Sequence, residues 1–264
     1  MLVHLLADFG VNDLAFAEVT QSLLTRLPDA QVVATTVGPF DTLAAGFVAA
    51  QLAAAPAPRG SLMLLNVAPR RDDKGPRVDN DGERLLLAEM PSGMRVLGVD
   101  AGHAFAFLAE ATTELRAVDW PTKGSQFRSR DLFPEALALL HAGRLPFRGE
   151  PLPATAVPAV PAARVAYVDG FGNVKTTLRW GEPLARRSGE AVVVEVGGLR
   201  HPARIVAGSF GVQEGELAVA PGSSGYPLAA GGSVRWVELF LRGGSAAKAL
   251  GVQGSGTEVA LHSP

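Results

Sequence analysis

Along the first half of the chain, unbroken apolar runs take turns with apolar residues at helical spacing. Leu2 to Ala7, broken only by His4, predicts a buried strand. Leu14, Val19, Leu23, Leu24 and Leu27 follow at a spacing of about 3.6 residues and predict a helix. Gln31 to Thr35 is a second, β-branched run. Thr42 to Ala55 is alanine-rich and helical, with Asp41 placed to cap it. Ser61 to Val67 is strongly apolar, as expected of a central parallel strand with both faces covered. Strand, helix, strand, helix, strand is the rhythm of a layered α/β domain with a mostly parallel sheet. Leu85 to Glu89 and Arg95 to Val99 predict a hairpin through Pro91-Ser92-Gly93. Helices are expected over His103 to Ala111 and Glu135 to Ala142, the second ended by Gly143.

The pattern then changes. Prolines 146, 151, 153, 158 and 161 predict an extended linker over 146–163. Beyond it come short β segments with glycine-rich turns: Val165 to Val168, Lys175 to Leu178, Ala191 to Val196, Ala203 to Val206, Glu216 to Ala220 and Val234 to Phe240. They predict a small β-barrel or sandwich, with a last short helix at Ser245 to Leu250. The expected organisation is an α/β domain over 1–145, the linker, and a smaller all-β domain over 164–264.

Composition narrows the function. A chain of 264 residues with 47% hydrophobic content can build substantial cores. Its net charge of −2, without a lysine or arginine run, leaves no electrostatic footprint for nucleic acid or an anionic membrane. The absence of cysteine excludes disulfides, thiolate metal sites and cysteine nucleophiles. No apolar stretch is long enough to span a bilayer, and no basic-then-apolar leader opens the chain, so a cytoplasmic location is expected. Histidines 4, 103, 141, 201 and 262 show no metal-ligand spacing, so no metal is expected.

Polar chemistry concentrates at a few places. Asp8 and Asp13 follow the first strand directly, where α/β folds place ligands. A carboxylate there can hold sugar hydroxyls, or it can simply turn the chain and cap the next helix. Ala68 to Glu83 packs nine charged residues among Pro and Gly, and reads as a solvated loop or as a rim lending an arginine to a site. Ser125 to Pro134 is a second polar cluster ahead of a helix. It suits an anion site, or capping with Arg130 and Asp131 as a structural ion pair.

Val168-Asp169-Gly170-Phe171-Gly172-Asn173-Val174-Lys175-Thr176-Thr177 is more specific. Taken with Asp8-Phe9-Gly10, Pro39-Phe40-Asp41, Asp100-Ala101-Gly102, Phe127 to Phe133 and Ser223-Ser224-Gly225-Tyr226, it resembles the S-adenosylmethionine (SAM)-cleaving superfamily. That group holds the fluorinase, the chlorinase and the SAM hydroxide adenosyltransferases. The resemblance spans nearly the whole chain in order. It implies an N-terminal α/β domain, a C-terminal β-barrel and a homotrimer with sites between neighbouring subunits. It also implies displacement at ribose C5′ with SAM as substrate, methionine as leaving group, and no cofactor or metal. By position, Asp8 would accept the ribose hydroxyls, supported by Asp13, and Phe40 would wall the nucleoside. Asp169 would pair with the methionine ammonium, beside Phe171 of the same motif. Asn173 would read the adenine edge, Ser223 and Ser224 would meet the carboxylate, and Arg242 and Gly243 would form a turn beside adenine.

The chain departs from this pattern where the hydrolases activate water with aspartate, arginine and histidine. Asn66 stands at the aspartate and Arg128 at the histidine. The arginine's counterpart lies among Arg70, Arg71 and Arg77. Neutral Asn66 cannot take a proton, and Arg128 stays charged. Ser129 replaces the usual glycine of the hydrolases and matches the serine with which the fluorinase holds halide. The implied activity is adenosine and L-methionine formation from SAM. A halide-using adenosyltransferase, or a SAM- or adenosine-binding protein without turnover, is the alternative. Pro227 to Trp236 is an insertion relative to the pattern, expected as a loop excursion.

Overall fold

The computed structural model describes residues 1–69 and 78–264. These form two compact units, Met1–Ala159 and Val160–Pro264.

The first unit contains β1 (Leu2–Ala7), α1 (Leu14–Arg26), β2 (Gln31–Thr36), α2 (Thr42–Ala54), β3 (Leu62–Asn66), β4 (Leu85–Glu89), β5 (Arg95–Val99), α3 (Ala106–Ala111), β6 (Glu114–Ala117), α4 (Arg128–Asp131) and α5 (Phe133–His141). The strands lie in the order β2-β1-β3-β5-β4-β6. β2, β1, β3 and β5 are parallel, while β4 runs antiparallel to both β5 and β6. The sheet is therefore mixed, with β4 alone running against the other described strands. Burial on both faces explains the near-continuous apolar runs of β1 and β3. On one face Val3, Leu5, Leu62 and Leu64 pack with Val19 and Leu23 of α1 and Leu137 of α5. α2 and α3 pack together, with Phe47 and Phe107 edge to face at 5.6 Å.

Capping sets the helix starts. The Asp13 carboxylate accepts the Ala15 N–H at 2.8 Å, and Asp41 accepts that of Ala44 at 2.9 Å. α3 begins three residues later than its apolar pattern predicts. Gly102, at φ +48°, turns the chain there, and Thr42 Oγ1 accepts the His103 N–H at 3.2 Å. Residues 146–152 run beside β6. Ala117 O accepts the Arg148 N–H at 2.9 Å, and Leu115 O accepts that of Leu152 at 2.7 Å. Prolines cannot donate to a ladder, so this edge stays irregular.

The second unit contains β7 (Val165–Val168), β8 (Val174–Arg179), α6 (Glu182–Ala185), β9 (Ala191–Val196), β10 (Leu199–Ile205), β11 (Leu217–Pro227), β12 (Ser233–Leu241), α7 (Ala246–Ala249) and β13 (Val259–His262). Their order is β13-β9-β10-β11-β12-β8-β7. The two ends meet: Arg164 bridges Glu258, and Ala163 O accepts the Val259 N–H at 2.9 Å. That closure makes a barrel, not a sandwich, around Val165, Val174, Val194, Val219 and Leu239. β13, which closes it, has too short an apolar run to be read from sequence. The insertion is not a loop excursion. Tyr226 pairs with Val234 and Pro227 with Ser233, so β11 and β12 extend as a hairpin and only Leu228 to Gly232 turns. Burial of Trp236 and Val234 supplies the reason. Among the described residues, no helix is long and apolar enough to cross a membrane.

Candidate functional site

In the first unit β1 connects through α1 to β2 on one side, and the chain then returns past β1 to β3 on the other. The strand order thus reverses between β1 and β3, and ligands of open α/β sheets sit beyond the strand ends at such a point. Ala7 pairs with Asn66 in register, so Asp8 and Asn66 leave adjacent strands side by side.

A cavity of about 370 Å³ lies in the barrel unit, but the larger one, about 920 Å³, opens at this switch point. Asp8, Asp13, Phe40, Asn66, Arg128 and Ser129 all line it. Six residues singled out from the sequence are therefore brought to one cavity. Its size is at the upper end for small-molecule sites. Four carboxylates line it, from Asp8, Asp13, Asp81 and Glu83, against one cation, Arg128, among the described residues. Such a lining favours a cationic ligand.

Asp8 is tied to Phe40: its Oδ2 accepts the Phe40 N–H at 2.9 Å. Phe40 holds φ +60° and is 46% exposed. A bulky side chain is rare in that conformation and is retained when surrounding structure dictates it. Asp13 both caps α1 and edges the cavity.

Arg128, at the start of α4, donates from Nη2 to Glu83 O at 2.6 Å and lies over the Phe133 ring at 5.0 Å. Burial lowers its pKa from the ordinary arginine value, and the charges of Glu83 and Asp81 oppose that shift. The guanidinium lies directly against Gly82, where a Cβ would overlap its Nη1. Ser129 is 5% exposed. Arg130 and Asp131 form an ion pair at 2.7 Å, and Arg130 also reaches Glu18 at 3.0 Å, tying α4 to α1. This pair is structural. Arg70, Arg71 and Arg77 lie outside the described residues.

In the second unit Asp169 to Asn173 connects β7 to β8. Asp169 Oδ1 accepts the N–H groups of Phe171 and Asn173, each at 3.0 Å, and Oδ2 accepts Asn173 Nδ2 at 3.0 Å. Gly172, at φ +83°, completes the turn against Ser245 and leaves Phe171 84% exposed. Ser223 and Ser224 sit in a bulge of β11 between Pro221 and Gly225. A bulge re-aims side chains out of the ladder, and here Ser223 is exposed while Ser224 is buried. Arg242 lies at the end of the same barrel's β12, where Nη1 donates to Val212 O at 2.6 Å, and Gly243 follows at φ +78°.

Several contributors escape a reading of the sequence. Asp81, Gly82 and Glu83 belong to the cavity wall, within a stretch whose composition suits plain solvated loop. Lys175 and Glu238 form a buried pair at 2.9 Å behind Asp169 and Ser223. Each stands between two uncharged neighbours within a strand, and two opposite charges so placed are a signal that could have paired them.

Comparison with known proteins agrees with the geometry. The SAM hydroxide adenosyltransferase N-terminal domain matches residues 3–148, and the C-terminal domain of the same name matches 163–259. No curated protein matches the chain. An uncharacterized conserved protein from Thermotoga maritima has a similar structure, with a TM-score of 0.74 at 22% identity, over 98% of this chain and 100% of that one. A conserved hypothetical protein from Thermus thermophilus is similar at a TM-score of 0.62 and 25% identity, over 98% of each chain. With both of its characteristic domains matched in order, the chain belongs to the SAM hydroxide adenosyltransferase family.

Proposed function

We propose that the protein cleaves SAM at ribose C5′, with water as nucleophile, giving adenosine and L-methionine. The observation that carries this reading is the convergence of Asp8, Phe40, Asn66, Arg128 and Ser129 on one acid-lined cavity at the switch point. Family membership supports SAM-binding, adenosyltransferase-type chemistry in general.

In this reading Asp8 accepts the ribose hydroxyls and Phe40 walls the nucleoside. The surrounding carboxylates balance the sulfonium. Water adds to C5′ opposite sulfur, the C5′–S pair returns to sulfur as neutral methionine, and the added water releases a proton. Asn66 can orient that water through its amide but cannot deprotonate it. Rate therefore comes from alignment and partial desolvation more than from a strong base. Arg128 adds a cation, yet its anchorage to Glu83 beside two carboxylates tempers the repulsion of sulfonium. In the proposed homotrimer, the Asp169, Asn173, Ser223, Ser224 and Arg242 region of a neighbouring subunit completes the site.

A second reading has a specific observation behind it. Ser129, buried next to Arg128 on the cavity wall, suits a halide nucleophile. Incubation with SAM, with and without chloride or fluoride, followed by chromatography separates the readings. Adenosine alone supports hydrolysis, and 5′-halo-5′-deoxyadenosine supports halide use. Tight SAM binding without product would leave a binding protein, and no SAM binding would end all three.

A further inference from the structure

The barrel's own cavity, about 370 Å³, shares no lining residue with the one at the switch point. β10 and β11 pair in parallel only at Arg204 with Ala218 and at Ile205 with Val219. Ahead of those pairs no ladder joins the two, and the cavity is lined by residues 201–204 of β10 and 215–217 leading into β11. Leu217, Leu241 and Leu250 give it an apolar wall. Its volume is at the lower end for small-molecule sites, so its ligand is small.

Three polar side chains line the same cavity: Arg204, Glu216 and His201. Arg204 Nη1 donates to Gly189 O at 2.8 Å, and the rest of the guanidinium has no partner among the described residues. Glu216 Oε2 accepts the Gln213 N–H at 2.7 Å, and Oε1 is unused among them. Neither side chain enters an ion pair within that set, with the other or elsewhere. His201 Nε2 is shut off from solvent and makes no hydrogen bond there either. A buried polar atom left in this way costs free energy that a ligand's polar group would recover. One cation, one carboxylate and one imidazole balance the lining, unlike the acid-lined switch point. A ligand of single charge would satisfy Arg204 or Glu216 and be repelled by the other. A small zwitterion satisfies both, and the leucine wall calls for an apolar body.

We infer that this cavity is a second ligand site, which takes free α-amino acids with an apolar side chain. The carboxylate meets Arg204, the ammonium meets Glu216, and His201 offers a further hydrogen bond. The side chain packs on Leu217, Leu241 and Leu250. None of Asp169, Asn173, Ser223, Ser224 or Arg242 lines this cavity, so it is separate from the barrel residues assigned to SAM. Methionine, a product of the reaction proposed above, belongs to the same class, but the site does not rest on that reading.

Calorimetry on the full chain tests this with L-leucine, which is not a product of the proposed reaction. 4-Methylpentanoate, which lacks the amino group, and 3-methylbutylamine, which lacks the carboxylate, serve as matched probes. Leucine should bind at about 1 mM or tighter. Loss of either charged group should weaken binding about fivefold, since Arg204 and Glu216 are exposed and water screens them. Arg204→Met should weaken leucine by a similar factor and leave 3-methylbutylamine unchanged. Glu216→Gln should weaken leucine likewise and leave 4-methylpentanoate unchanged. Ala249 is exposed on the cavity wall, so Ala249→Phe should keep the fold and abolish leucine binding by filling the space. Adenosine affinity should be the same in all three variants. No leucine binding, a singly charged probe as tight as leucine, or leucine binding untouched by the three changes would overturn the assignment. Loss of adenosine binding together with leucine binding would also overturn it, because the two sites would then be one.

Discussion

Phe40 keeps a left-handed backbone while its N–H is held by Asp8. A glycine takes that conformation freely. Phe40→Gly should therefore keep or raise the thermal midpoint, relief of strain (about 1 kcal/mol) being set against greater unfolded-state freedom. The same change should weaken adenosine binding by removing the wall, as calorimetry would show. A fall in stability with unchanged binding would contradict this. Asp8→Asn keeps the shape and removes the charge. It should weaken adenosine binding by about 1.5–3 kcal/mol, or roughly 10–100-fold. Asp8 was legible in the sequence because an acid closing an apolar strand marks a strand end. Lys175 and Glu238 were not, because their partnership joins β8 to β12 across sixty-three positions of chain. Single-strand patterns carry no information about such pairs.

At the scale of elements, α4 carries the proposed chemistry. It presents Arg128 and Ser129 to the cavity, while Arg130 and Asp131 anchor it from behind. Gly82→Ala would drive a methyl into the Arg128 guanidinium. It should change turnover more than it changes adenosine affinity, which a kcat-against-Kd comparison would reveal. Arg128→His puts a titratable group at this position and should raise hydrolysis only where water activation limits the rate. An unchanged or lower rate would assign the limit elsewhere. The helices and strands of the first unit were largely legible, since their apolar periods are long and their caps explicit. Glu83 was harder. Its stretch looks like solvated loop until the fold brings α4 against it, and only then does its carbonyl hold Arg128. The insertion was misread for a related reason: Val234 and Trp236 gain their burial from the barrel, not from their own neighbours in sequence.

For the molecule as a whole, two half-buried histidines make stability depend on acid pH. Burial lowers the pKa of His4 and of His103 from the ordinary 6.5, a backbone hydrogen bond with Ala159 partly opposing this for His103. Each folded pKa lies below the unfolded value, so the stability they contribute is present above pH 6.5 and is lost as pH falls through the lowered values. The thermal midpoint should hold steady above about pH 7 and drop below about pH 6, and His4→Gln should flatten part of that drop. The barrel closure and the switch point organise the rest: one holds the polar turn at Asp169 to Asn173, the other gathers the cavity. The central claim is attack by water at C5′, and heavy-oxygen water tests it most directly. Cleavage of SAM in that solvent, followed by mass spectrometry, should give adenosine carrying the heavy oxygen and methionine carrying none. Unlabelled adenosine, or label appearing only in a fragment of the amino-acid tail, would contradict it.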